Sequence, residues 1–367
     1  MDLMQFIDRA ETTSLPDREV VDALVHPAHA APSPQLVEAL RSWRGPYYWT
    51  DESDGRHLIL TLVRPRPSER WWLHGLLFGL TFVSVTLAGA VLGGRLPYYG
   101  VLGLLNSLAH PGARFWSTWA SGLGFSVPLL GILLAHELGH YVVARRHGVN
   151  VSPPFFIPAP LISIIGTLGA FIRIRTILSD RRQLLDIGVA GPFAGFVVAL
   201  PVLIVGMARS TTHPLVAPGA NLLLLVGHDV VPIGSSLITG WVRDLVLGGS
   251  GGVVLSPLAF AGWIGMFVTM LNLLPLAQLD GGHALYAVFP RLQSRLALVF
   301  WLGLAVLGWF TWQGWLVWAV FIVLMSRGRL AHPAVLDGDR PLPRAGGVGM
   351  AALALVLFII TFVPKPF

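Results

Sequence analysis

Apolar residues fall into long blocks separated by short polar stretches. A helix that crosses a bilayer needs about 20 consecutive apolar residues. Trp72 to Gly94 meets that length, with His74 as its titratable side chain. Leu123 to Ala144 and Leu184 to Met207 meet it too, the second with Asp186 near its start. Leu258 to Leu274 is uncharged and slightly short. Leu296 to Met325 runs 30 residues without a charge, as one long span or as two short ones broken at "TWQGW". Gly349 to Val363 is a candidate last span. The blocks predict an all-α integral membrane protein with about six or seven transmembrane helices.

Two stretches depart from that pattern. Within residues 1–70, Leu15 to Leu40 mixes polar and apolar positions, and Pro16, Pro27, Pro32 and Pro34 limit helix length there. Arg56 to Arg64 reads as a strand, so a small soluble α+β module is expected ahead of a membrane core at 71–330. A loop and the last span would fill 331–367. Pro153 to Leu178 is the second departure, with Pro158, Pro160, Gly166 and Gly169 interrupting it. Its end alternates apolar and basic from Phe171 to Arg175, which predicts a strand over Ala170 to Arg175. Irregular backbone at membrane depth must rest on protein or line a wet cavity, so a β-hairpin or re-entrant loop on the cytosolic side is expected. Asp180 then caps the next helix, with Gln183 at the capping-box position.

Composition supports the membrane reading. The 367 residues are 54% hydrophobic and only 12% charged, where a soluble domain carries about 25%. The chain has no cysteine, which excludes disulfides and thiolate metal sites. Its net charge of +6 sits in arginines beside apolar runs, a topology signal rather than a nucleic-acid surface. Arg145, Arg146, Arg173, Arg175, Arg181 and Arg182 lie between the second and third spans, against Arg209 and Arg243, with Asp229 and Asp244, between the third and fourth. Positive loops stay inside, so the C-terminal end of the second span and the N-terminus face the cytosol, as Arg64, Arg66 and Arg70 also indicate. A multi-pass protein of the cell (plasma or inner) membrane is expected. The start, "MDLMQFIDRAETTSLPDREVVDAL", lacks a basic region followed by an apolar core, so neither a signal peptide nor a transit peptide is expected.

Against that background, His136, Glu137 and His140 in "LLAHELGHYV" are conspicuous. Ionisable groups are expensive in hydrocarbon and mark function by default. Two histidines four apart share one helix face and can reach one zinc ion. The adjacent Glu137 can act as general base on a zinc-activated water and pass the proton to the leaving amine. The bland alternative is a pair of buried histidines in a helix bundle. A catalytic zinc usually has three protein ligands. The next candidate in an apolar setting is Asp280, in "NLLPLAQLDGGHAL". Pro275 should interrupt the helix there, while Gly281 and Gly282 allow a tight turn and close backbone approach. By itself "DGG" is also ordinary turn chemistry.

HExxH in one span and Asn-x-x-Pro-x-x-x-Leu-Asp-Gly in a later one resemble the site-2 protease family of intramembrane zinc metalloproteases. "GTLGAFIRIR" and "LLDIGVAGPFAGF" resemble its bacterial and plastid branch. The resemblance covers about residues 72 to 330 and implies that His136, His140 and Asp280 bind one Zn2+, with Glu137 as catalytic base. It implies that Asn272 bonds near the substrate or its oxyanion; interhelical glue is the alternative. Gly139, Gly191, Gly195, Pro275, Gly281 and Gly282 are expected as structural supports near the site. For His283, three residues after Asp280, the readings are a metal ligand, a group behind the ligands, or a helix-start histidine at the interface. The strand around Phe171 and Arg173 could pair with an unwound substrate, because proteases take extended chains and an exposed edge offers backbone partners. An interfacial hairpin with arginines among headgroups is the alternative. Many bacterial members carry a PDZ domain between the third and fourth spans. Ser210 to Pro257, 48 residues, is too short for one.

The implied activity is hydrolysis of a peptide bond in or near the transmembrane helix of a membrane protein, with the bilayer as second partner and no nucleic acid. Water must then reach the site through a polar path from the cytosolic side. A multi-pass zinc-binding transporter or a non-catalytic metal-binding scaffold is the competing reading. Transporters tend to show inverted repeats or paired broken helices, which the chain does not display, and an idle scaffold would be expected to lack Glu137.

Overall fold

The computed structural model describes residues 3–14, 18–29, 33–41, 43, 47–63, 69–95, 112, 115–160, 163–176, 178, 180–213, 222–226, 229–248, 251–333, 335, 342 and 346–367. Pro16, Pro32, Arg64 and Arg66 lie outside them. Contacts divide the chain into two compact units, Met1–Glu69 with Ile174–Ile177, and Arg70–Arg173 with Leu178–Phe367.

The first unit is an antiparallel sheet of β1 (Ile7–Ser14), β2 (Arg18–Val25), β3 (Tyr47–Glu52) and β4 (Gly55–Val63), in the order β1-β2-β4-β3. Helix α1 (Pro34–Arg41) buries Leu36, Ala39 and Leu40, the i, i+3, i+4 stripe of an amphipathic helix. They close a core with Phe6, Ala23, Val25, Leu58 and Leu60. Arg175, from the later segment of this unit, pairs with Glu69. His57 is buried, and its Nδ1 lies 2.6 Å from Asp22 Oδ1 and its Nε2 3.0 Å from Asp54 Oδ1. Hydrogen bonds from the imidazolium to Asp22 and then Asp54 outweigh desolvation and push the His57 pKa up to about 8. A group whose folded pKa is raised stabilises the fold fully below its unfolded value and loses that contribution as pH rises through the folded one. The β2–β4 amides should therefore open more readily at pH 9 than at pH 6, after correction for intrinsic exchange. His57→Leu should flatten that difference; hydrogen exchange on the full chain reads it.

The second unit is mostly helical. Among the described residues, four helices are long and apolar enough to cross a membrane: α2 (Trp71–Leu92), and, after the short α3 (Phe115–Ala120), α4 (Leu123–Arg146), α5 (Arg181–Ala208) and α9 (Gln293–Phe310). Shorter apolar helices are α7 (Pro257–Asn272), α10 (Gly314–Met325) and α11 (Gly347–Thr361). The uncharged run expected as one span or two is thus two helices, α9 and α10, separated at Thr311–Gln313. Phe125, Leu129, Ile132 and Leu133 of α4 pack with Ala199, Leu203 and Met207 of α5 and with Phe260, Trp263 and Met266 of α7. Thr86 of α2 donates to Ser126 of α4 at 2.8 Å, a buried polar pair that fixes the two helices in register. Asp180 caps α5 by accepting from the Gln183 amide at 2.8 Å, whereas the Gln183 side chain donates to the His147 carbonyl.

Two expectations change. The strand expected over Ala170 to Arg175 lies earlier: β6 is Thr167–Phe171, antiparallel to β5 (Phe155–Pro158). Beyond Phe171 the backbone turns to Ser152 instead, whose Oγ accepts from the Arg173 amide and whose amide donates to the Arg173 carbonyl. The all-α description also gives way to a mostly helical one. Besides the β5–β6 hairpin, a small sheet of β7 (Thr211–His213), β8 (Leu222–Val226), β9 (Asp229–Ile233) and β10 (Gly252–Val254) runs in the order β7-β10-β8-β9. Helix α6 (Leu237–Leu247) starts within it at a Ser236–Thr239 capping box. These strands have three to five residues, and "LLLLV" of β8 does not alternate, so period two gave no signal.

Candidate active site

His136, Glu137 and His140 are all buried on α4. Their partner comes from far along the chain. Helix α7 stops at Asn272, and residues 273–279 make an irregular turn around Pro275. The positive φ of 48° falls on Ala277 rather than on a glycine. Helix α8 (Asp280–Val288) begins with Asp280 in its first turn. Gly281 and Gly282 are helical, which corrects their expected place in a tight turn. Their other expected use holds: a Cβ on Gly281 would collide with the Leu273 carbonyl, and one on Gly282 with the Ala277 carbonyl.

This route brings three ligand atoms together. His136 Nε2 and His140 Nε2 are 3.2 Å apart, and each is 3.3 Å from Asp280 Oδ2. Atoms about 2.0–2.1 Å from one tetrahedral ion lie about 3.3–3.4 Å from each other. The donors therefore form the triangle that a zinc ion requires, with a fourth position left for water. Two imidazoles and a carboxylate are also a zinc-type donor set. Among the described residues, one other group of such atoms exists, Asp22, Glu52 and His57 in the first unit. There both His57 nitrogens already bond to carboxylates.

Helix α5 supports the imidazoles. His140 Nδ1 donates to the Ile187 carbonyl at 2.7 Å, which leaves Nε2 unprotonated and facing Asp280. A Cβ on Gly191 would collide with the His140 ring, and one on Gly195 would stand 3.2 Å from His136 Nδ1. The two glycines thus seat imidazoles, whereas Gly139 provides the close helix contact, 2.5 Å between its Cβ position and the Ala190 carbonyl. His136 Nδ1 is buried without a hydrogen-bond partner among the described residues.

Asn272 brings its side-chain amide to 3.4 Å from His136 Nε2, beside the centre. The Ile172 backbone amide, one residue past β6, points at the Glu137 carboxyl. Phe171 is exposed and stacks on Phe155, and β6 has no strand on its other edge among the described residues. Arg173 is exposed, with its backbone tied to Ser152. An apolar cavity of about 530 Å³ opens alongside, lined among others by Pro275, Gly281, Phe300 and Leu355. The Ile187 carbonyl, Gly188 and Ile172 escape sequence reasoning because backbone groups carry no side-chain signature. His332, described below, stands in "LAHPAV" without a motif.

Comparison with known proteins agrees with this geometry. Residues 124–306, which contain all three ligand atoms, match Peptidase family M50. Those residues form a domain of peptidase family M50, the site-2 protease family. It is 32% identical over 253 residues to the probable zinc metalloprotease EGY1, chloroplastic, of Arabidopsis thaliana, covering 66% of this chain and 43% of that protein. Identity to the probable zinc metalloprotease EGY2, chloroplastic, of the same plant is 31% over 64% of this chain and 40% of that one. With rice (Oryza sativa subsp. japonica) EGY1 it is 34% over 56% and 35%. The chain thus spans about two fifths of the length of the first two relatives. No solved structure matches. The cofactor that the family and the donor set together call for is Zn2+.

Proposed function

We propose that this chain is an intramembrane zinc metalloprotease that hydrolyses a peptide bond in or near the transmembrane segment of a membrane protein. The observation that carries the proposal is the 3.2–3.3 Å triangle of His136, His140 and Asp280, with Glu137 buried next to it. Zinc, when bound, supplies a Lewis acid that brings the pKa of water to about 7. The chain's own residues do the rest. His136, His140 and Asp280 hold the ion, and α5 fixes the rings. Glu137 takes a proton from water on one side of the reaction and hands it to the departing amine on the other. Asn272 reaches the same centre and is placed to donate to the substrate carbonyl. The open edge of β6 at Phe171 receives the unwound substrate as an added strand, and the exposed Arg173 lies two residues further.

Among the described residues, four apolar helices of spanning length and three shorter ones support a reading of six or seven crossings. The arginine distribution supports a cytosolic N-terminus in a cell membrane. We read residues 1–70 as a soluble module, 71–330 as the protease core and 331–367 as a loop with the last helix.

The test uses the full chain in liposomes with a tagged single-pass helix as substrate. Cleavage should stop when a hydrophilic chelator is added on the arginine-rich side and return with Zn2+. Cleavage that persists in protein stripped of zinc would overturn the proposal.

A further inference from the structure

The first turn of α8 reads Asp280-Gly281-Gly282-His283. Two of its four residues carry no side chain, and glycine in a helix is about 1 kcal/mol less favourable than alanine. The N-cap, Leu279, makes no side-chain cap bond. The turn that aims a ligand carboxylate at the ion therefore depends on anchors elsewhere, and His283 is the only other side chain in it.

That side chain is held from two directions. Its Cβ rests on Gly188 of α5, where an added methyl would stand 2.9 Å away. Gly188 directly follows Ile187, whose carbonyl orients His140. On its other side, His283 Nδ1 lies 2.7 Å from His332 Nε2. The direction of that bond follows from the next one. His332 Nδ1 is 2.5 Å from the Pro333 carbonyl, which can only accept, so Nδ1 carries the proton. Neutral His332 then accepts at Nε2, and His283 Nδ1 donates. Gln293, itself buried, accepts from the His332 amide at 3.0 Å and donates to the Leu330 carbonyl at 3.3 Å. The His332 ring also lies 4.7 Å from that of Tyr286, two turns into α8.

We propose that His283 and His332 form a positioning pair: His332, from the segment after α10, locks the glycine-rich first turn of α8 through His283 and so holds Asp280 in the metal triangle. Neither ring belongs to the group of ligand atoms formed by His136, His140 and Asp280. The proposal rests on the zinc reading above, and retention of the metal is its readout.

The experiment follows zinc loss from the full-length protein in detergent to an excess chelator, alongside the ligand-field bands of the cobalt-substituted protein. His332→Phe keeps a ring against Tyr286 and removes both nitrogens. His332→Gln restores an acceptor where Nε2 stands. The Phe variant should lose zinc about 10–100-fold faster, the range for groups that orient metal ligands, with altered cobalt bands. The Gln variant should stay within about threefold of wild type. If the Phe variant does not fold, Gln293→Met, which releases the same segment through the His332 backbone, should show a smaller loss in the same direction. Unchanged retention and bands in these variants would overturn the positioning role while leaving the zinc reading intact. Equal losses in Phe and Gln variants, tracking a common drop in melting temperature, would reduce the pair to general stability and overturn it too. A wild-type protein that holds no zinc would remove the underlying reading and the proposal with it.

Discussion

Glu137→Gln should abolish peptide cleavage while leaving zinc content at the wild-type level. The substitution is nearly isosteric, so the buried position on α4 stays filled, and the amide oxygen can still face the Ile172 N–H. What disappears is the ability to accept and return a proton. General acid–base groups contribute about 10²–10⁴-fold, so turnover of a tagged helix should fall by at least that order. The ligand atoms of His136, His140 and Asp280 are untouched, so metal analysis of both proteins should agree. Loss of cleavage together with loss of zinc would recast Glu137 as a support of the site. Equal cleavage by both proteins would end its assignment as the base.

Gly191→Ala should empty the site by a purely steric route. An added methyl meets the His140 ring, which is fixed on its far side by the Ile187 carbonyl. Interiors pack as densely as organic crystals and cannot absorb such an overlap without moving the ring or the helix. We expect zinc affinity to fall by about a hundredfold or more, the upper end of what perturbing a ligand's support does. Gly131→Ala is the matched control. Gly131 lies on α4 with nothing within 4 Å of its Cβ position. There alanine should be neutral or stabilise the helix by about 0.5–1 kcal/mol, since glycine loses more backbone freedom on folding. If both variants hold zinc equally, Gly191 is a packing glycine without a bearing on the metal.

The candidate ligand set was legible because its chemistry contradicts its surroundings. His136, Glu137 and His140 interrupt an apolar block, and Asp280 follows one, so the cost of burying them pointed to a shared ion. Helix limits were legible where a cap marks them, as at Asp180, whereas the break after Phe310 stood open between one long span and two short ones. The strand at Phe171 was displaced because alternation of Arg173 and Arg175 with Ile172 and Ile174 imitates a strand. The Ser152 hydroxyl, distant in sequence, takes the Arg173 amide instead. The sheet over 211–254 left no trace because its strands are too short to show a period. What holds the imidazoles was least legible. The Ile187 carbonyl is a backbone group, and the spacing of Gly188, Gly191 and Gly195 reads equally well as ordinary helix packing.

Those three glycines stand at i, i+3 and i+7 on α5, and each lies under a different histidine: His283, His140 and His136. Seen mechanically, α5 is a smooth rail. A helix face with side chains meshes with its neighbour and resists sliding, whereas this one offers no teeth along the line where the metal site rides. It is stopped elsewhere: by the Ile187 hydrogen bond to His140, the tight seat of Gly139 against Ala190, the Gln183 bond to the His147 carbonyl and the close approach of Gly206 to Ala259. An axial slip of α5 by one residue, 1.5 Å, would shift the carbonyl that aims His140 and the three seats together. The seats of all three histidines are therefore set together by the position of one helix along its own axis.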